Sequence, residues 1–529
     1  MTDAASPPAN HPSEAPIDNE AAGWIEFCDS LDLGQLVPEG YARYRPAVVE
    51  GMVFFLENLS AARTWEVLAA QAELDDDAGV EERVVAIARC CPALHKLGQV
   101  LARDRRLPET FRVLLQSLES MPATLDADAA RAAVVAELGP LEPLGVRIDE
   151  PPLAEASVAV VIPFRWQRDG GDQPVRGVFK LLKPGIEARL TEELDILQRI
   201  GALLDARCQL HDLPPIDYEA TFLEVRDLLA WEVHLEKEQE HLRAARVTYK
   251  DLKAVLIPEL YPLSTPRLTA MQRIDGVKVT EVGGWPVKMR HRLANAVVEA
   301  LIARPLWSRG SVSVFHADPH AGNLFATPDG RLAVLDWSLV GRLDKADQIG
   351  LTQIILGAVT LDAARIDAAI RTLARDRVDG DALRTLIAGR LELLREGKWP
   401  TLSWLMGLVD EAATTAKARF AGGLIMFRKV LQTLDGVIAD VSADCRVDRV
   451  LTAALIRQLL REWGRRPIAG PFTRHFATHV SNLDLMQMWF SAPLIVSRYA
   501  LTLEAALLAR IADASAEAGE APMNRTASE

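Results

Sequence analysis

Residues 314–325 read VFHADPHAGNLF, and a Thr-Pro-Asp-Gly turn signal at 327–330 separates them from RLAVLDW. The apolar runs on either side of that turn form a hairpin pattern, which folds Asp336, at the end of VLD, back toward Asn323. Two chemistries compete for these residues. His316, Asp318 and His320 alternate, so an extended backbone would put them on one face, and such triplets ligate zinc. Asn323 and Asp336 instead supply hard oxygens, which suit Mg2+ better than zinc. With Asp318 five residues before Asn323, the second reading has the layout of phosphoryl transfer, an orienting acid or base followed by two metal ligands.

Phosphoryl transfer calls for a cation at the phosphates. Lys180, in VFKLL, shares its strand face with Val178 and Leu182, where an unpaired ammonium would be costly. It therefore needs a carboxylate partner, and the helical stretch LAWEVHLEKEQEHL offers several.

The surrounding chain is mostly helical by periodicity. Apolar residues recur at helical spacing from about 23 to 135, the proline-rich PLEPLGVRIDEPP marks a boundary, and VAVVIPFRW and VRGVFKLL flank QRDGGDQP as a hairpin, the first along the chain, with the Thr-Pro-Asp-Gly hairpin the second. Helical patterns follow at 186–204, 219–247 and 285–307, a strand is expected in STPRLTAMQRI, and helices return from 344 to about 512. The expected fold class is α+β, mostly helical.

Composition narrows the partners. A net charge of −14 over 529 residues argues against nucleic acid, which needs clustered uncompensated Lys and Arg. Five scattered cysteines without CxxC spacing indicate neither a disulfide framework nor a thiolate zinc site, so a reducing, cytoplasmic setting is expected. The first residues, rich in acids and prolines, read as a tail and not as a secretory leader. MQMWFSAPLIVS is too short to span a bilayer, since crossing takes about 20 apolar residues. Peripheral membrane contact stays open.

Taken together, these motifs resemble the UbiB/AarF (ADCK-like) family of atypical, protein-kinase-like proteins over about residues 90–440. HKLGQVLARDRRLPETFRVLLQSLESMP is similar to the family's N-terminal signature, with Lys96 and Gln99 as its diagnostic pair. PLAEASVAVV resembles the alanine-rich loop that stands where protein kinases have glycines, placing Ala154, Ala156 and Ser157 at the nucleotide. VFKLLKPGI makes Lys180 the ATP lysine. WEVHLEKE resembles the Glu-x-Asp helix, putting Glu232 in the motif and making Glu238 the partner of Lys180. FHADPHAGN and LDWS supply Asp318 as the catalytic acid and Asn323 and Asp336 as the Mg2+ ligands.

The resemblance implies a two-lobe kinase-like fold with an N-terminal helical cap and a C-terminal helical extension. The expected divisions are a tail at 1–22, a helical region carrying KLGQ at 23–150, lobes at 151–280 and 281–440, an extension at 441–512 and a tail at 513–529. It further implies ATP and Mg2+ as cofactors and slow ATPase or small-molecule phosphotransferase activity on a small-molecule or lipid-related substrate, in support of isoprenoid-quinone or lipid metabolism. The helix bearing Lys96 and Gln99 would exclude peptide substrates. The oligomeric state is not legible.

Three positions depart from the family pattern: His234 where the motif expects an acid, Glu155 in the alanine loop, and Trp337–Ser338 after the metal aspartate. They leave a nucleotide-binding pseudokinase or scaffold as one alternative, and the zinc hydrolase built on His316, Asp318 and His320 as a second.

Overall fold

The computed structural model describes residues 24, 27–28, 31–102, 106–119, 126–148, 151–168, 173–214, 217–396 and 398–498. Both expected tails, residues 169–172 of the first hairpin loop and residues 499–512 of the extension lie outside the described residues. The chain divides into two compact units, Met1–Glu240 with Glu259–Arg273, and His241–Pro258 with Ile274–Glu529.

In the first unit, helices α1 (Arg45–Glu57), α2 (Ala61–Ala72), α3 (Val80–Cys90), α4 (Pro92–Leu101), α5 (Glu109–Gln116) and α6 (Ala127–Leu138) precede the sheet. The sheet joins β1 (Val146–Arg147), β2 (Ala154–Glu155), β3 (Ala159–Trp166), β4 (Val175–Leu182) and β6 (Leu268–Gln272), with β1 and β2 both paired to β3. β3 and β4 pair antiparallel with Val161 opposite Lys180, and β4 pairs with β6 with Lys180 opposite Thr269. Phe164 and Phe179 stack at 3.9 Å beneath this sheet. Gly177 makes room for them, because a Cβ there would stand 2.3 Å from the Phe164 ring.

Three helices follow: α7 (Ile186–Arg207), α8 (Tyr218–Ala230) and α9 (Leu235–Tyr249). α7 turns Ile186, Leu190, Leu197, Ile200 and Leu204 inward on one helical stripe. Glu193 occupies the same inward stripe and is fully buried.

The second unit holds a four-stranded sheet in the order β5 (Val255–Leu256), β10 (Leu332–Val334), β9 (Leu324–Ala326), β7 (Val277–Lys278), and a ribbon of β8 (Val312–His316) with β11 (Val340–Asp344). The second hairpin is present, with Leu332 opposite Ala326 and Val334 opposite Leu324. Helix α10 (Val287–Val298) runs into a π turn at Glu299–Ala303, just ahead of Pro305, whose ring lacks an N–H and crowds the carbonyl four residues back. Helices α11 (Lys345–Thr360), α12 (Ala363–Leu373), α13 (Gly380–Arg395), α14 (Leu402–Thr414), α15 (Gly422–Val441) and α16 (Val447–Glu462) complete it, and residues 482–498 are helical. Among the described residues, no helix is long and apolar enough to cross a membrane.

Candidate functional site

β4 carries Lys180 into a mostly buried position, where its ammonium lies 2.8 Å from the carboxylate of Glu238 in the first turn of α9. A carboxylate at a helix N-terminus is favoured by the exposed backbone N–H groups there. Removing one partner would take this contact from the other charge in a poorly solvated place. The tight turn from β2 to β3 carries Ala156 and Ser157 and is closed by the Ala156 N–H donating to the Ala159 carbonyl at 2.8 Å.

Glu155 is mostly buried, and its carboxylate pairs with Lys183 at 2.7 Å. Lys183 also donates its backbone N–H to the Val158 carbonyl at 2.9 Å. The negative charge that the sequence places in the alanine loop is thus matched by a cation three residues after Lys180. The sequence reading missed Lys183, although its place in KLLKPG was a visible signal.

His234 lies before α9, not on it. It follows the 3-10 turn Trp231–Val233 with φ −99° and ψ 71°, and its ring meets Trp231 edge-on at 5.8 Å. The helix expected over 219–247 is therefore corrected: it breaks at residues 231–234 and a new helix begins at Leu235.

Helix α4 presents Lys96 to Glu232 at 2.9 Å, and the Gln99 amide donates to the Leu118 carbonyl at 3.0 Å. His95 bonds the same carbonyl at 2.9 Å. Gly98 lies between them because a Cβ would meet the Leu118 side chain at 2.8 Å. The start of α4 is fixed by Glu193, which accepts the Ala93 N–H at 2.7 Å and binds the Arg63 guanidinium at 2.7 Å. Burial pushes the Glu193 carboxyl up to about 7, against the pull of these two partners. Neither Glu193 nor Arg63 was singled out in the sequence, but a glutamate on an otherwise apolar helical stripe was the available sign.

In the second unit, β8 ends at His316 and the chain winds tightly to Asn323. The Asp318 N–H donates to His316 Nδ1 at 3.2 Å, and His316 Nε2 meets the Leu335 carbonyl at 3.0 Å. Those contacts define a neutral ring that carries its proton on Nε2. Burial holds the imidazole below its ordinary titration range. His320 Nδ1 accepts the Gly322 N–H at 3.0 Å, a fold-back that requires glycine because a Cβ would stand 2.7 Å from the ring.

The zinc alternative fails on this geometry. Both nitrogens of His316 are engaged by backbone groups, and the described residues contain no cluster of three His, Cys, Asp or Glu able to hold a metal.

The oxygen donors are arranged differently. Asn323 Nδ2 donates to the Asp318 carbonyl at 3.1 Å, which turns the amide oxygen away from that carbonyl. The Leu335 N–H bonds the Asn323 carbonyl at 2.8 Å, bringing residue 336 alongside. Asp336 adopts a left-handed backbone, φ 47°, and one of its carboxylate oxygens accepts the Ser338 N–H at 3.1 Å. Aspartate tolerates this conformation through such local turns. Ser338 itself has no positive φ, so the absence of glycine there carries no backbone strain. Trp337 is buried, bonds the Val334 carbonyl at 3.2 Å and packs on His316 and Tyr249. His241 holds the Trp337 carbonyl at 3.0 Å. An amide oxygen and a carboxylate on a braced loop fit Mg2+, which takes few protein ligands and completes its shell with water and phosphate.

The model of the ABC1 atypical kinase-like domain matches residues 119–370, just under half of the chain. The α+β fold and this match define the class as an atypical kinase-like protein. A probable protein kinase UbiB of Aliivibrio fischeri is 25% identical over 352 residues, covering 63% of this chain and 59% of that protein. One from Shewanella baltica is 28% identical over 302 residues, covering 54% and 52%. An uncharacterised chloroplastic aarF domain-containing protein kinase of Arabidopsis thaliana is 28% identical over 296 residues, covering 54% and 38%. The chain thus spans about half the length of the curated relatives it matches. Among solved structures, the complex of Rv3197 with erythromycin from Mycobacterium tuberculosis gives a TM-score of 0.46 at 19% identity, over 65% of this chain and 86% of that one. Over the matched residues the chain is similar to the UbiB/AarF atypical kinase-like proteins.

Proposed function

We propose that the protein binds Mg-ATP and acts as a slow ATPase or as a phosphotransferase on a small, lipid-related acceptor, in support of isoprenoid-quinone or other lipid metabolism. The observation that carries this reading is the Lys180–Glu238 ion pair at 2.8 Å on a central strand, a fixed cation in the strand-lysine position of a kinase-like fold. Lys180, held by Glu238, orients the α and β phosphates, and the loop of Ala154, Ala156 and Ser157 lines the nucleotide. Asn323 and Asp336 hold Mg2+, which supplies charge neutralisation at the phosphates. Asp318 orients the acceptor hydroxyl or water and takes its proton as the new P–O bond forms and ADP departs. Lys96, Gln99 and Glu232 gate access, restricting the acceptor to small molecules. We assign 151–280 and 281–440 as the functional lobes, with the KLGQ-bearing helices before them and a helical extension after them.

A nucleotide-binding scaffold without turnover is favoured by one feature, His234, which stands where the family's Glu-x-Asp motif has an acid. One experiment separates the readings. Mg-ATP should raise the melting temperature by several degrees, the response to a ligand at about a hundred times its Kd. Phosphate release above background supports the enzyme, and a shift without release supports the scaffold. No shift with ATP or ADP and any divalent metal would remove both.

A further inference from the structure

The peptide group between Trp337 and Ser338 is held at both of its polar ends. Its N–H donates to an Asp336 carboxylate oxygen at 3.1 Å, and its C=O accepts from His241 Nδ1 at 3.0 Å. A carbonyl oxygen only accepts, so the His241 ring carries its proton on Nδ1. In a planar trans peptide the C=O and N–H point in opposite directions, so fixing one aims the other. His241 thereby sets the direction of the N–H that meets the Asp336 carboxylate.

The hold on Asp336 is two-sided. Ahead of it, the Leu335 carbonyl meets His316 Nε2 at 3.0 Å and the Leu335 N–H bonds the Asn323 carbonyl at 2.8 Å. Between the two clamps Asp336 keeps its left-handed backbone at φ 47°. Behind it stands α9. That helix grips residue 337 twice, at the backbone through the half-buried His241 and at the indole through Tyr249, whose ring lies 5.9 Å from that of Trp337. An imidazole bonded to a main-chain carbonyl is by itself an ordinary packing contact. Here the far end of the same peptide touches the proposed metal ligand, and a hydrogen bond on the carbonyl polarises the N–H that the carboxylate receives.

We infer that His241 is a positioning residue for the metal site: through the Trp337–Ser338 peptide it holds the Asp336 carboxylate in the orientation that receives Mg2+. The inference rests on the reading of Asp336 as a Mg2+ ligand and adds to it the group that aims the ligand. His241 acts through another residue, so its loss is felt in what the metal contributes and not in how nucleotide binds without metal.

The test compares melting temperatures of the full chain without nucleotide, with ATP in EDTA and with Mg-ATP. The difference between the last two is the metal increment, which should be positive in the wild type. His241→Leu removes the donor and should weaken Mg-ATP about tenfold or more, as loss of a partner behind a metal ligand does, lowering the increment by about 2–4 °C. ATP in EDTA should shift this variant and the wild type alike. His241→Asn places an amide nitrogen where Nδ1 stands and should keep the wild-type increment. His241→Gln, whose amide reaches the position of Nε2, should not. Both amides suit a half-buried polar position, so this pair decides the matter even where the leucine variant fails to fold. A wild-type increment of zero would remove the metal reading and this inference together. A positive wild-type increment that His241→Leu leaves unchanged overturns the inference alone, as do equal increments in the Asn and Gln variants. An equal loss with Mg2+ and in EDTA also overturns it, because His241 would then be a packing residue only.

Discussion

The Glu193 carboxylate on α7 caps the first turn of α4 by accepting the Ala93 N–H at 2.7 Å, a contact made across 100 residues of sequence. Its other oxygen holds Arg63, so one buried acid fixes where the helix bearing Lys96 and Gln99 begins. Glu193→Ala takes the buried carboxylate from the Arg63 guanidinium, which keeps only the half-exposed Glu66 at 3.2 Å, and should cost about 1.5–3 kcal/mol. Chemical denaturation of the variant measures this, and a loss below about 1 kcal/mol would contradict the capping role.

Lys180→Ala and Glu238→Ala should behave unequally. The first removes the proposed phosphate ligand and should abolish the Mg-ATP melting shift. The second leaves the ammonium in place without this carboxylate, and should weaken nucleotide binding by about tenfold or more, as loss of a charge-assisted hydrogen bond does. Isothermal titration of both variants provides the comparison, and equal wild-type affinities would refute the assignment.

Glu155 and Lys183 pair at 2.7 Å beside the proposed nucleotide loop. In Glu155→Gln the loop loses its negative charge and Lys183 is left without that carboxylate, so Mg-nucleotide affinity should rise several-fold. Because the pair is partly solvated, stability should change by no more than about 1 kcal/mol. An affinity that stays the same or falls would show that the pair does not address the nucleotide.

Asp336→Asn retains a side chain suited to the left-handed backbone at φ 47° but removes the charge. Turnover should fall by about a hundredfold or more with the melting temperature nearly unchanged. Asp336→Val should also destabilise the fold, by about 1–3 kcal/mol, because a β-branched residue is strained there.

Acid should weaken the fold through buried imidazoles. Burial lowers His95 and His479 to about 4, each against the pull of a backbone carbonyl. Above pH 6.5 they are neutral whether folded or unfolded, and their contribution is complete. As pH falls from 6.5 toward 4 the unfolded chain takes protons that the fold refuses, and stability drops by up to roughly 3 kcal/mol per group. Glu193 acts in the opposite sense, since a carboxyl raised to about 7 favours the fold below that pH. Melting temperatures of wild type and His95→Gln across pH 4–8 should converge toward the acid end, and parallel curves would argue against His95.

Much of the architecture could be read directly. The β3–β4 and β9–β10 hairpins follow from β-branched runs around turn signals, and the 186–204 helix from its apolar stripe. The spacing of Asp318, Asn323 and Asp336 was equally plain. His316 shows the limit, because His-x-Asp-x-His permits a zinc site until the Leu335 carbonyl and Asp318 N–H are seen to occupy both ring nitrogens. His234 shows another, since the helical pattern read over 219–247 does not reveal the break at 231–234 ahead of the helix that begins at Leu235.

The sequence by itself determined the strand carrying Lys180, the loop carrying Asp318 and Asn323 and the turn returning Asp336, because each depends on neighbours a few residues away. Only the tertiary structure decided that Lys183 meets Glu155, that Glu193 caps α4, and that the helix at 482–498 turns its aromatic residues outward. Those outcomes depend on which face of one element packs on another. A buried charge finds its partner in space, and the distance along the chain does not enter its energy.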